Sequence, residues 1–161
     1  MTKEKYNLIL DVDSYKVTHF NQYPQNTKKL YAYIEARNLN SEELIFFGLQ
    51  AFVKKYLLNP ITQDDIDEAE KFLLSHIGVF NRDDWEYILN EHGGFLPIEI
   101  KSLDEGTVTN KKIPLLDITN TDEKVPWLVT YIETALLRSL WYPSSVATIS
   151  REIKKIIFRY L

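Results

Sequence analysis

A segment near the N-terminus, Asp13–Pro24, carries the side chains best suited to chemistry, in the order Asp-Ser-Tyr-Lys-Val-Thr-His-Phe-Asn-Gln-Tyr-Pro. Its first aspartate or serine can cap a helix, since either side-chain oxygen accepts from an unpaired backbone N–H, and the proline ends that helix. On such a helix Tyr15 and His19 share a face, with Lys16 one position away. A ring, an imidazole and a cation near a helix N-terminus suit a flat polar or anionic ligand. Physical chemistry alone favours the alternative, a surface helix whose aromatic side chains pack on the following sheet.

Length and composition bound the class of protein. The 161 residues suffice for one domain with a core, and 45% of them are hydrophobic. The net charge of −4 gives no support to nucleic-acid binding, and the absence of cysteine excludes disulfides and thiolate zinc sites. No apolar run approaches the ~20 residues that a membrane helix needs. We therefore expect a cytoplasmic protein with neither a nucleic-acid nor a membrane partner.

The first half of the chain predicts one strand and three helices. Apolar residues alternate over residues 28–36, as in a strand, and recur at helical spacing from about residue 48 to 58. A threonine cap and a terminal glycine bound a helix over 62–77, and a second helix follows over 82–92. These two helices are expected to form a hairpin. The acidic run within 64–70 is interpreted as a solvated helix face, because no closed set of metal ligands is present.

From residue 97 the apolar period changes to two, which predicts further strands. Segments 97–104, 107–109 and 115–119 are expected to join 28–36 in one antiparallel sheet. Runs of strands and runs of helices, segregated along the chain, indicate an α+β fold with an antiparallel sheet, flanking helices and a helical hairpin.

Two helices are expected at the C-terminal end. Asn120-Thr121-Asp122 indicates the start of the first, and Trp141-Tyr142-Pro143 indicates its end. Ser144 or Ser145 is then expected to begin the last helix.

The opening segment, Asp-Ser-Tyr-Lys-Val-Thr-His-Phe-x-Gln-Tyr-Pro, resembles the first motif of the nicotinamide phosphoribosyltransferase family. Further motifs of that family are matched in the same order along nearly the whole chain. They are Ile34-Glu35-Ala36-Arg37, Phe47-Gly48-Leu49-Gln50, Leu96-Pro97-Ile98-Glu99-Ile100-Lys101, Glu105-Gly106, Ile132-Glu133-Thr134, Trp141-Tyr142-Pro143, Val146-Ala147-Thr148 and Ser150-Arg151-Glu152.

The resemblance implies how the chain is organised. Chains of this family of type II phosphoribosyltransferases are much longer and carry a (β/α) barrel after the matched region. Residues 1–143 are therefore expected to form the N-terminal α+β domain, and residues 144–161 the start of the helix that leads into the barrel domain, which this chain lacks.

The resemblance also implies the reaction: nicotinamide and phosphoribosyl pyrophosphate give nicotinamide mononucleotide and pyrophosphate, with magnesium, in NAD salvage. In the family, the tyrosine matching Tyr15 stacks on nicotinamide from the neighbouring subunit of a homodimer, and the aspartate matching Asp13 lies beside it. The arginine matching Arg37 reaches a phosphate group of the substrate. The family often places lysines just beyond it, whereas residues 38–40 here are Asn-Leu-Asn, which weakens the expected positive patch.

The same resemblance places the catalytic residues and the magnesium ligands in the barrel. No catalytic or metal-binding residue is therefore assigned to this chain, and the isolated chain is expected to be inactive. Two alternatives stay open: a stand-alone, non-catalytic binding or assembly module of the same fold, and part of a nicotinate phosphoribosyltransferase.

Overall fold

A computed structural model of the chain describes residues 6–37 and 41–161, so Asn38, Leu39 and Asn40 lie outside the described residues. Within those ranges it has five strands and five α-helices, preceded by two 3-10 helices. The 3-10 helices are Leu8–Leu10 and Ser14–Asn21. The strands are β1 Tyr31–Glu35, β2 Glu43–Ile45, β3 Ile98–Ser102, β4 Val108–Asn110 and β5 Pro114–Asn120. The α-helices are α1 Leu49–Phe52, which a π-helical turn Val53–Leu57 continues, α2 Gln63–Ile77, α3 Arg82–His92, α4 Leu128–Tyr131 and α5 Glu133–Ile157.

The α+β fold with an antiparallel sheet is confirmed, but the strands divide into two sheets. The larger sheet has the order β1-β5-β3, and both of its pairings are antiparallel. The prediction that segment 107–109 joins this sheet is wrong, because β4 pairs with β2 in a separate two-stranded sheet. Gly106 has a φ of +88° in the preceding turn and donates its N–H to Phe46. This turn directs the chain onto the Phe46 backbone and away from β5.

The predicted helical hairpin is confirmed, and so are the predicted caps of its first helix. Thr62 and Asp65 form a capping box at the start of α2, and Gly78 ends the helix in the left-handed conformation, with a φ of +73°. Arg82, the first residue of α3, forms ion pairs with Asp67 and Glu70 of α2. The first helix of the hairpin therefore begins and ends as its local sequence dictates.

Two hydrophobic clusters hold these elements together. The first lies between the strands and α5 and includes Phe46, Leu116 and Leu136. The second joins the hairpin to α4 and the N-terminal segment. In it Trp85 makes edge-to-face contacts with Trp127 and Tyr131. The buried residues Ile9 and Ile66 belong to the same cluster. The N-terminal segment is thus held between the hairpin and the helices that follow the sheet.

The predicted helix start at residues 120–122 is wrong, because the Asn120 side chain serves the sheet. Asn120 is the last residue of β5; its amide oxygen accepts from the Leu30 backbone N–H and its amide nitrogen donates to the Lys28 carbonyl oxygen, both at 2.8 Å. The next α-helix starts only at Leu128. The Asn-Thr-Asp pattern is typical of a helix cap, but here the asparagine side chain binds the backbone of Lys28 and Leu30, which are distant in sequence.

The helix end predicted at Pro143 is also wrong, because α5 runs unbroken from Glu133 to Ile157 with the proline inside it. A proline inside a helix leaves the carbonyl four residues earlier without its usual donor, here that of Ser139. The backbone of Gly48 packs against that carbonyl, so closely that a Cβ atom on Gly48 would clash with it. The predicted division between two domains at residue 143 therefore falls within a continuous helix, and the division itself stays a prediction.

One side of α5 fixes the small sheet through hydroxyl groups. Ser144 Oγ accepts from the Phe47 N–H and donates to the Phe47 carbonyl, both at 3.0 Å, and Thr148 Oγ1 accepts from the Ile45 N–H at 2.9 Å. The other side exposes several aromatic and aliphatic side chains: Tyr142, Val146, Ile149, Ile153 and Ile156. None of the helices in the described ranges is long and apolar enough to cross a membrane.

A polar network closes the junction between α3 and the end of β5, and it makes stability depend on pH. The Asp122 carboxylate accepts from the Lys124 backbone N–H, the Tyr87 hydroxyl and the His92 ring, each at 2.8 Å. The Lys124 bond above all, and those from His92 and Tyr87, hold the pKa of Asp122 below its ordinary value. Its stabilising effect is therefore complete above the unfolded-state pKa of about 3.9 and is lost as the pH falls through the lower folded-state value.

We expect Asp122→Asn to lower the free energy of unfolding by about 1–3 kcal/mol near neutral pH, where it disrupts charge-assisted hydrogen bonds. The loss relative to the wild type should shrink as the pH falls below about 3.9, the unfolded-state pKa, because the wild-type carboxylate is then increasingly protonated too. Urea unfolding, monitored by tryptophan fluorescence at each pH, measures the free energy of unfolding of both chains. Asp104→Asn, in an exposed turn, is the control; an Asp122→Asn loss that stays constant over this range would contradict the assignment.

Candidate ligand-binding site

The segment Ser14–Asn21 forms a 3-10 helix that presents Tyr15 to solvent. The Tyr15 side chain is 62% exposed, and its ring centroid lies 5.6 Å from that of His19. The prediction that Tyr15 and His19 share a face is therefore confirmed. The alternative, in which the aromatic side chains of this helix pack on the sheet, does not hold for Tyr15, because its side chain is largely exposed.

Asp13 occupies the N-cap position of this helix, but its side chain caps nothing. Its Oδ2 instead accepts from the Thr134 hydroxyl at 2.8 Å and from the Tyr15 hydroxyl at 3.2 Å, while its backbone N–H donates to Thr134 Oγ1. Partial desolvation and the adjacent Asp13 carboxylate raise the pKa of the Tyr15 hydroxyl, so it remains a donor. Asp13 thus connects the exposed ring to the start of α5.

Lys16 is not the free cation that the sequence suggested. Its side chain is only 4% exposed, and Nζ lies 2.6 Å from Glu133 Oε2 and 3.8 Å from Asp13 Oδ2. A buried ammonium group needs such partners, since an unpaired buried charge is strongly unfavourable. Lys16 therefore anchors the segment to α5 and is not available to an anionic ligand.

Arg37 lies on an open groove of about 600 Å³ between β1 and the α4–α5 region. Its side chain is 84% exposed, with Nε 3.8 Å from Glu35 Oε1, so its guanidinium can still be reached by an anion. Tyr31 and Tyr33 line the same groove, and so does Glu133, the partner of Lys16. Arg37 and Glu133, which binds Lys16 of the Tyr15 segment, therefore lie on the same groove.

Three further contacts of the segment were missed from the sequence. Glu133 and Thr134 belong to a motif that resembled the family, yet no role was assigned to them because their partners are more than a hundred residues away. Ser14 Oγ lies 2.8 Å from His76 Nε2 at the end of α2, which ties the segment to the helical hairpin as well. Only a pairing of distant motifs could have indicated these contacts.

No group of three or more histidine, aspartate or glutamate side chains could hold a metal ion within residues 6–37 and 41–161. In the acidic run at the start of α2, Asp65 caps the helix, while Asp67 and Glu70 bind Arg82. A second groove of about 620 Å³ contains Asp11, but that carboxylate is paired with Arg138 and the Tyr56 hydroxyl. The described residues thus offer no arrangement that fits a magnesium site.

The fold of the chain is shared with a solved phosphoribosyltransferase. It superposes on a crystal structure of human nicotinic acid phosphoribosyltransferase with a TM-score of 0.62 at 22% sequence identity, over 84% of this chain and 26% of that one. At this identity the likeness shows a shared fold.

The sequence comparisons define the family. Residues 7–100 match the model for the nicotinamide phosphoribosyltransferase N-terminal domain, and the chain belongs to this family. The nicotinamide phosphoribosyltransferase of Xanthomonas campestris pv. campestris is 41% identical over 155 residues, and that of Acinetobacter baylyi is 32% identical over 174. The alignments cover 96% and 97% of this chain but only 33% and 34% of those relatives. The chain therefore spans about a third of the length of the curated relatives it matches.

Proposed function

We propose that this chain is the N-terminal part of a nicotinamide phosphoribosyltransferase, which makes nicotinamide mononucleotide and pyrophosphate from nicotinamide and phosphoribosyl pyrophosphate in NAD salvage. The observation that carries the proposal is the state of Tyr15: its ring is exposed, yet its hydroxyl is fixed by Asp13. An exposed ring held in one place suits a flat aromatic substrate. The names of the two relatives above, both nicotinamide phosphoribosyltransferases, support this choice of substrate.

The reaction has two requirements that these residues could meet: an oriented base and a neutralised leaving group. Displacement at the sugar carbon requires an oriented base, because a positioned reactant loses less entropy on the way to the transition state. It also requires that the charge developing on the pyrophosphate leaving group be neutralised. In our proposal Tyr15 stacks on the nicotinamide ring and Asp13 keeps Tyr15 in place. Arg37 contacts a phosphate group, for which its planar, multiply donating guanidinium is well suited.

The proposed site is composite. Neither a general base nor a magnesium site is assigned to the described residues, so we place those groups in the part of such enzymes that this chain does not cover. Magnesium would there neutralise the phosphates. The proposal includes a cytoplasmic homodimer in which Tyr15 of one subunit serves the base site of the other.

Two proteins test the proposed function. The 161-residue chain alone, given nicotinamide, phosphoribosyl pyrophosphate and magnesium, should form no nicotinamide mononucleotide above the no-protein control. A chimera, in which this chain replaces the matching third of the Xanthomonas campestris relative, should form it. Separation of the product by liquid chromatography measures both.

The parallel assay with nicotinate is the specificity control. An inactive but folded chimera, or one that uses only nicotinate, would refute the proposed function. Turnover by the isolated chain would refute the composite site.

A further inference from the structure

We propose that Thr134 is a positioning residue, which sets the orientation of the Tyr15 ring by holding the Asp13 carboxylate. This inference rests on the proposed function, because it assigns to Thr134 the task of preparing Tyr15 for the flat, aromatic base of the substrate. Thr134 touches neither the base nor the phosphates in this proposal. It acts only through Asp13.

The geometry forms a short relay of hydrogen bonds. The Thr134 hydroxyl donates to Asp13 Oδ2 at 2.8 Å, and the Tyr15 hydroxyl donates to the same oxygen at 3.2 Å. The Asp13 backbone N–H donates in turn to Thr134 Oγ1 at 3.3 Å. Thr134 therefore fixes both the main chain and the side chain of Asp13, and that carboxylate is the only hydrogen-bond partner found for the Tyr15 hydroxyl among the described residues.

Glu133 performs a different task one residue earlier. Its carboxylate pairs with the buried Lys16 ammonium at 2.6 Å and so holds the backbone of the segment against α5. Loss of this pair would leave a buried charge without its closest partner and would destabilise the fold. Thr134 has no such charge to compensate, and its removal leaves Asp13 partly solvated. The two neighbouring residues therefore separate anchoring of the segment from orientation of the ring.

An exposed tyrosine needs this support to bind a base well. A side chain that is free to change rotamer must be ordered when the ligand stacks on it, which weakens binding. The Asp13 carboxylate removes most of that freedom before the base arrives, provided that the carboxylate itself is held. From the cost of ordering one side chain, loss of Thr134 should weaken the base interaction about 3- to 10-fold.

Steady-state kinetics of the chimera test the assignment. Thr134→Val keeps the side-chain shape without the hydroxyl and should raise KM for nicotinamide about 3- to 10-fold, with KM for phosphoribosyl pyrophosphate unchanged. Thr134→Ser restores the hydroxyl and should restore KM. Thr119→Val is the matched control, because it also removes a threonine hydroxyl, one that donates to the Leu30 carbonyl at 2.7 Å. It should lower the melting temperature without changing either KM.

A measurement without turnover keeps this inference separate from the proposed function. With 3-fluorotyrosine at position 15 of the 161-residue chain, the fluorine resonance should shift toward that of an unfolded chain in Thr134→Val. It should stay in place in Thr134→Ser and Thr119→Val. An unshifted resonance in Thr134→Val, or equal changes in both Michaelis constants, would overturn the role of Thr134. An inactive chimera with the expected fluorine shift would overturn the proposed function alone.

Discussion

Tyr15→Ala should raise KM for nicotinamide about 5- to 150-fold in the chimera with the Xanthomonas campestris relative. The reason is the loss of a stacking face, which contributes roughly 1–3 kcal/mol for base–aromatic contacts in nucleic-acid complexes. Tyr15→Phe keeps the ring and loses only the hydrogen bond to Asp13, so KM for nicotinamide should rise about 3- to 10-fold, as in Thr134→Val. Because the ring is largely exposed, Tyr15→Ala should change the melting temperature little. Initial rates over a range of nicotinamide concentrations give the Michaelis constants.

Arg37→Ala is the contrasting variant, because it removes an exposed cation from the groove beside β1, which Tyr15 does not line. It should weaken the phosphoribosyl pyrophosphate side and leave KM for nicotinamide unchanged, since a charge-assisted phosphate contact is lost. If Tyr15→Ala instead lowers the melting temperature with no selective kinetic effect, Tyr15 is a packing residue. If Arg37→Ala does nothing, Arg37 is a surface cation.

Gly48→Ala should destabilise the chain by about 3 kcal/mol or more, the largest stability effect that we expect of one methyl group. Gly48 has a φ of +114°, and a residue with a side chain held in a sparsely populated backbone region costs of order 1–3 kcal/mol. The new Cβ would also clash with the Ser139 carbonyl, and the overlap must be relieved by moving backbone. That backbone belongs to α5, which Ser144 and Thr148 bind to the small sheet. Urea unfolding at equilibrium measures the loss.

Gly106→Ala separates backbone strain from the clash. Gly106 has a φ of +88°, but nothing lies within 4 Å of the position that its Cβ would occupy. The stability lost in Gly106→Ala should therefore be limited to the backbone strain of about 1–3 kcal/mol. Equal losses for the two variants would mean that the contact between Gly48 and α5 is not tightly packed. A Gly48→Ala chain that does not fold, beside a folded Gly106→Ala chain, would agree with the prediction.

The hairpin shows what local sequence can predict. The limits of α2 follow from Thr62 at its start and Gly78 at its end, and both caps satisfy backbone groups a few residues away. The strand periods are local in the same sense, so β1, β3 and β5 lie where their alternation predicted. These features required no knowledge of distant partners.

Predictions failed where a distant partner replaced a local rule. Pro143 does not end α5, and the Ser139 carbonyl, which loses its usual donor, lies against Gly48, far away in sequence. Asn120 does not cap a helix, because its amide bonds to the backbone before β1. Neither partner can be read from the residues around the proline or the asparagine, so local signals pointed the wrong way.

The candidate site divides in the same manner. The sequence by itself determined the residue types in the first motif, the α+β class and, through ordered motifs, the family. Only the tertiary structure decided that Lys16 is buried against Glu133 while Tyr15 is exposed, although the two are adjacent in sequence. Which neighbour is buried depends on where α5 packs, and that packing is fixed by contacts between residues more than a hundred positions apart.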